Sequence, residues 1–151
     1  MRIIRSTPFD TNFHALIKKL DAELWERYPH IQAQYDVHNK IDEQAKVVLA
    51  FDGDKAVGCG CWKKTSQPGT VEIKRMYVLR ELRGKGIAFN ILKELESWAH
   101  EEGYPVTRLE TGTNQPEAIG LYKKSGYKQV ENFEPYKNMP ESVCMEKRLD
   151  G

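Results

Sequence analysis

Arg83-Gly84-Lys85-Gly86-Ile87-Ala88 is the stretch whose residue types and spacing point most directly to chemistry. A β-type run, Val71 to Leu79, empties through a short polar turn into it, and a helical pattern follows at once. Two glycines at a strand-to-helix turn let the backbone curl tightly and point several N–H groups the same way. Those donors, added to the positive end of a helix dipole, make an anion site suited to a pyrophosphate. Arg83 and Lys85 put positive charge beside it. A phosphorylated cofactor is therefore expected.

Other chemistry-bearing residues are sparse. Cys59, Cys61 and Cys144 are an odd number in a chain without a secretory signal, which argues against a disulfide framework. Strand alternation puts the Cys59 and Cys61 sulfurs on one face, where burial is expected. His14, His30, His38 and His100 have no metal-ligand spacing, so no metal site is expected. A net charge of +1 argues against general nucleic-acid binding. No apolar run approaches the ~20 residues of a membrane span. Without an apolar leader after Met1, a cytoplasmic protein is the default expectation.

The 151 residues suffice for one domain, 1–151, with one substantial core; no repeat or linker interrupts them. Arg2 to Arg5 reads as a strand. Phe13, Leu16, Ile17, Leu20 and Leu24 keep helical spacing behind a cap at Asp10 or Thr11, and Tyr28-Pro29 ends that helix. His30 to Gln44 reads as a loop or a second short helix. Val47–Phe51 and Ala56–Lys63 flank a hairpin turn at Asp52-Gly53-Asp54-Lys55, and Gln67-Pro68-Gly69 leads into the strand Thr70 to Leu79.

The helix after the glycine turn buries Ile87, Ala88, Ile91, Leu92, Leu95, Trp98 and Ala99 and stops at Gly103. Val106 to Gly112 should run parallel to the strand before that helix. Pro116 starts another helix that Gly126 closes, with Asn114 a candidate cap. A strand from Tyr127, a loop from Glu131 to Ser142 and a last strand, Val143 to Leu149, follow. The order predicts an α/β (α+β) fold: a mixed, mostly antiparallel sheet of about six to seven strands with helices on both faces.

A dinucleotide fingerprint needs a third glycine where Phe89 stands, and no P-loop run exists. What does fit is Arg-x-x-Gly-x-Ala at Arg83, Gly86 and Ala88. It resembles the acyl-CoA pyrophosphate loop of the GNAT superfamily of N-acetyltransferases. A second block, Leu109-Glu110-Thr111-Gly112-Thr113-Asn114 followed by Ala118, Leu121-Tyr122 and Gly126-Tyr127, is similar to that family's next segment. The strand Val71 to Val78 also resembles the family's strand before the loop, so the likeness covers about Ala56 to Val130.

The resemblance implies a GNAT-like fold whose sheet splays between the strands ending near Val78 and Gly112. It implies backbone pairing of Met76, Tyr77 and Val78 with a pantetheine arm. Amides of Arg83, Gly84, Lys85, Gly86, Ile87 and Ala88 would hold the pyrophosphate, Asn114 would touch the pantetheine or fix the parted strand ends, and Tyr122 would lie beside the thioester sulfur. Acetyl-CoA is the implied co-substrate, and a small amine or a peptide the acceptor partner, with the chain a monomer or a homodimer. For amine attack on a thioester, Glu72 is the first candidate base and Glu110 the second; Glu72 equally suits a strand-surface carboxylate paired with Lys74 or a cross-strand base. Tyr122, with a reference pKa near ~10, is the candidate acid for the departing thiolate. Tyr28, Tyr35, His38, Phe133, Glu134 and Tyr136 are candidate acceptor liners. The expected function is N-acetyl transfer by a direct route in a ternary complex; a non-catalytic acyl-CoA sensor on the same fold, or an ATP binder using the loop, is the alternative.

Overall fold

The computed structural model describes residues 1–29 and 41–150. Seven strands form one sheet: β1 (Arg2–Ser6), β2 (Lys46–Asp52), β3 (Lys55–Lys64), β4 (Thr70–Val78), β5 (Val106–Gly112), β6 (Lys128–Val130) and β7 (Ser142–Arg148). Their spatial order is β1-β2-β3-β4-β5-β7-β6, and β4–β5 is its parallel pair. That pair is joined through α2 (Ile87–Glu101), as a parallel crossover requires. The other helices are α1 (Thr11–Arg27) and α3 (Pro116–Lys124). Of the segment from His30 to Gln44, residues 30–40 lie outside the described residues, as do the candidates Tyr35 and His38 within it. Among the described residues no helix is long and apolar enough to cross a membrane.

α1 starts where the Asp10 carboxylate accepts the Asn12 amide at 2.8 Å, and it ends at Tyr28, before Pro29. Its apolar stripe packs on one face of the sheet, with Phe13 and Cys61 lining a shared crevice. α2 lies on the other face and buries Ile91, Leu92 and Leu95 completely, about 1.5–3 kcal/mol for each side chain. β3 admits it through Gly58 and Gly60. A Cβ at either position would stand 2.9 Å from Ile91 Cδ1 or Leu95 Cδ1, closer than packed carbons come.

Strand ends differ slightly from the sequence reading. β4 stops at Val78, a 3₁₀ turn at Arg80–Leu82 occupies part of the polar connection, and β6 begins at Lys128 rather than Tyr127. The Tyr127 side chain is instead fixed inside: its hydroxyl bonds Thr107 Oγ1 at 2.8 Å and Glu96 at 2.9 Å. Cys59, Cys61 and Cys144 are all buried free thiols, and burial raises the pKa of each. They are poor nucleophiles in that state.

Candidate active site

The ladder between β4 and β5 runs from Thr70↔Val106 to Ile73↔Leu109 and stops there. Beyond it β4 stays paired with β3 as far as Val78, and β5 stays paired with β7 as far as Gly112. The two strands therefore part in the middle of the sheet. A bulge in β4 accompanies the parting: Cys59 faces Tyr77 while Cys61 faces Lys74, so β4 carries one residue more than β3. Arg75 sits in that bulge at φ +60°, a region a side-chain-bearing residue rarely adopts. Asp21 grips its guanidinium at 2.7 Å and the Cys59 thiol donates to its carbonyl, which holds the strained residue in place.

A cavity of about 120 Å³ opens at the parting. Leu20, Leu24 and Tyr28 of α1 wall it on one side, and Glu72 to Met76 of β4 and Glu110 to Gly112 of β5 on two others. Ala118 and Tyr122 of α3 and Tyr136 of the loop before β7 complete it. Of the candidate acceptor liners, Tyr28 and Tyr136 reach this cavity. Phe133 stands behind, its ring 4.0 Å from the Arg108 guanidinium carbon, and Glu134 faces solvent.

The two candidate bases differ sharply. Glu72 is 4% exposed and enclosed by Lys74 at 3.8 Å, Arg108 at 3.6 Å and the Tyr136 hydroxyl at 3.5 Å. It is thus ion-paired with two basic side chains at once. Glu110, one rung past the end of the ladder, has few such neighbours. Burial pushes its carboxyl up to about 7, against the pull of the Ser142 hydroxyl and Lys74. Tyr122 is buried. Burial, then the nearby Glu110 charge, raises its pKa and keeps it a proton donor. Its ring is steadied edge-on by Tyr127 at 5.8 Å.

The glycine loop ends at the N-terminus of α2. Gly84 and Gly86 take φ of +83° and +82°, and a Cβ on either would point into open space. No side chain caps α2 and no acidic residue lies in its first turn, so its leading amides are free to meet an anion. These residues suit a pyrophosphate. Lys85 is exposed beside them. The Arg83 side chain, expected to add charge there, is directed elsewhere. Its Nε donates to the Val78 carbonyl at 2.9 Å, and its fork holds both oxygens of Glu23 at 2.8 and 3.0 Å.

Met76, Tyr77 and Val78 lie on the part of β4 that β5 does not pair, so that edge is open to an extended ligand, although the Val78 carbonyl already serves Arg83. Asn114 does not cap α3, which starts from Gln115 without a side-chain cap. It ties α3 to α1 instead: its amide donates to the Tyr28 hydroxyl at 3.0 Å, and its Nδ2 to the Arg27 carbonyl. Gly112 makes room for that contact, since a Cβ there would overlap the Tyr28 ring and hydroxyl. The sequence reading missed Glu23, since a glutamate near the end of an amphipathic helix is unremarkable in sequence; the pairing of Glu72 with Lys74 and a cross-strand base, here Arg108, was expected.

Comparisons with known proteins agree with this geometry. Residues 13–127 match the model of the acetyltransferase (GNAT) family. The chain is 32% identical over 148 residues to an IAA acetyltransferase of Azospirillum brasilense, covering 97% of each. It superposes with TM-score 0.82 and 33% identity on a candidate acyl-CoA N-acyltransferase of Klebsiella pneumoniae, covering 98% of this chain and 97% of that one. The PaiA N-acetyltransferase of Thermoplasma acidophilum, solved with coenzyme A, shares the fold at TM-score 0.73 and 18% identity, over 98% of this chain and 99% of that one. With residues 13–127 matching that family's model and a relative 32% identical along nearly its whole length, the chain belongs to the GNAT family of acetyltransferases.

Proposed function

We propose that the chain, as one domain, transfers the acetyl group of acetyl-CoA to a primary amine of a small molecule or peptide, directly within a ternary complex. One observation carries the reading: a carboxyl of pKa about 7 and a protonated tyrosine face the same cavity, between strands that part next to an uncapped helix N-terminus. Bound acetyl-CoA supplies an acyl group activated on a good leaving thiol. The amides of Gly84 to Ala88 hold the phosphates, and the free edge of β4 at Met76 and Tyr77 aligns the pantetheine arm.

Glu110 takes a proton from the substrate ammonium, and the neutral amine's lone pair then attacks the thioester carbonyl, forming the N–C bond as the C–S bond breaks. The raised pKa of Glu110 leaves a useful fraction ionised near neutrality while keeping it basic enough to accept a proton. Tyr122 donates its hydroxyl proton toward the departing sulfur, a role that its buried, un-ionised state suits. A backbone N–H near Met76 can support developing negative charge on the carbonyl oxygen, an effect worth ~2.7–4 kcal/mol per donor in other acyl-transfer sites. Glu72 is assigned to the support of Lys74 and Arg108 rather than to proton transfer.

Thiol release from acetyl-CoA across a panel of amines and peptides tests the reading. Intersecting double-reciprocal lines are expected for the direct route. Parallel lines with an isolable acetyl-enzyme would refute it. Tight CoA binding without thiol release for any acceptor would favour a sensor.

A further inference from the structure

Glu23 stands where two local rules disfavour a carboxylate. It lies in the last turn and a half of α1, near the negative end of the helix dipole, and it is only 8% exposed. Three guanidiniums compensate it: Arg83 through both oxygens, Arg80 at 3.2 Å and Arg27 at 3.3 Å. Burial pushes its carboxyl up, but the Arg83 and Arg80 hydrogen bonds outweigh that and hold it below the ordinary carboxylate range.

Arg83 is the residue immediately before Gly84, and all three faces of its guanidinium are used. Two go to Glu23 and one to the carbonyl of Val78, with the plane lying over the Tyr77 ring at 5.4 Å. The loop carrying the glycines is thereby pinned to α1 on one side and to the end of β4 on the other. Without the pin, a stretch with two glycines must be ordered at the moment a ligand arrives, and that ordering subtracts from affinity.

We propose that Glu23 is a positioning residue for the acyl donor, acting through Arg83 to hold residues 83–86 with the leading amides of α2 ready for a pyrophosphate. This rests on reading the chain as an acyl-CoA-dependent transferase. Simple Coulomb reasoning gives the opposite sign for its removal. Neutralising a carboxylate close to a phosphate site lowers repulsion and should tighten CoA binding. The sign of the effect therefore separates positioning from bulk electrostatics.

The test is calorimetric titration of CoA into wild type and Glu23→Gln, with steady-state kinetics on acetyl-CoA and on S-acetyl-pantetheine, a donor without phosphates. The Glu23→Gln protein should bind CoA about tenfold or more weakly, the scale of a lost charge-assisted hydrogen-bond pair. Its kcat at saturating acetyl-CoA, and its kcat/KM with S-acetyl-pantetheine, should stay within about twofold of wild type. Adding Arg83→Gln should cost little more, because both changes remove one linkage. Unchanged or tighter CoA binding overturns the proposal, as do equal losses for both donors or full additivity with Arg83→Gln. Should Glu23→Gln fail to fold, Arg83→Lys, which keeps the charge and loses the fork, carries the same readouts. Wild type that does not bind CoA would overturn the donor reading itself.

Discussion

Ile73 pairs with Leu109 as the last rung between β4 and β5, and the next residue on β5 is Glu110. A carboxylate one position earlier would sit inside a paired, packed sheet. One position past the rung it faces the cavity, desolvated but reachable.

The first prediction concerns pH. With Glu110 held near about 7, kcat should fall as pH drops through that value, because the base becomes protonated. Glu110→Gln should abolish that limb and lower kcat by about 10²- to 10⁴-fold. The pH–rate profile of both proteins is the measurement.

The same group has a stability signature. Its folded-state pKa lies above the unfolded value near ~4.3, so the folded protein binds more protons between the two. Stability from this group is therefore present at low pH and is lost as pH rises through about 7. Thermal unfolding should find Glu110→Gln more stable than wild type at pH 8 and similar to it at pH 4.

Tyr122→Phe should leave CoA affinity within about twofold while lowering kcat by about 10²-fold, the scale of a lost general acid. Titration of CoA together with turnover measures both. Unchanged turnover would remove Tyr122 as the acid.

Glu72→Gln should behave as a structural variant. Removing the charge leaves Lys74 and Arg108 buried with one partner fewer, at a cost of about 1–3 kcal/mol by urea denaturation. The pH limb near 7 should survive. A loss of that limb would return the base to Glu72.

Gly112→Ala should cost about 1–3 kcal/mol, because the new methyl overlaps Tyr28 and pushes it off the Asn114 amide. Urea denaturation reads the loss.

Much of the fold was legible because local signals agreed. The Asp10 cap, the turn at Asp52 to Lys55, the glycine loop and Pro116 each mark a boundary by a mechanism that acts within a few residues. The parallel β4–β5 pair followed from the intervening helix. The difference in surroundings between Glu72 and Glu110 was not legible. Both are strand glutamates, and what separates them is where the ladder stops and which cations arrive from other strands. A cross-strand base was expected beside Glu72, but that it is Arg108 follows only from the β4–β5 register. Arg83 is similar: the sequence placed its charge beside the phosphates, and nothing local marked its bond to Glu23, sixty residues away on α1.

Gly58 and Gly60 set a dimension of the site from behind its wall. They fix how deeply α2 rests on β3, through Ile91 and Leu95. The first turn of that same helix is the proposed phosphate anchor. Two side chains that are single hydrogen atoms thus act as the gauge between anchor and cavity. A methyl added at Gly58 would press on Ile91 and the Tyr77 carbonyl, and one at Gly60 on Leu95 and on Met76 of the cavity wall, so the packing between anchor and cavity would have to change.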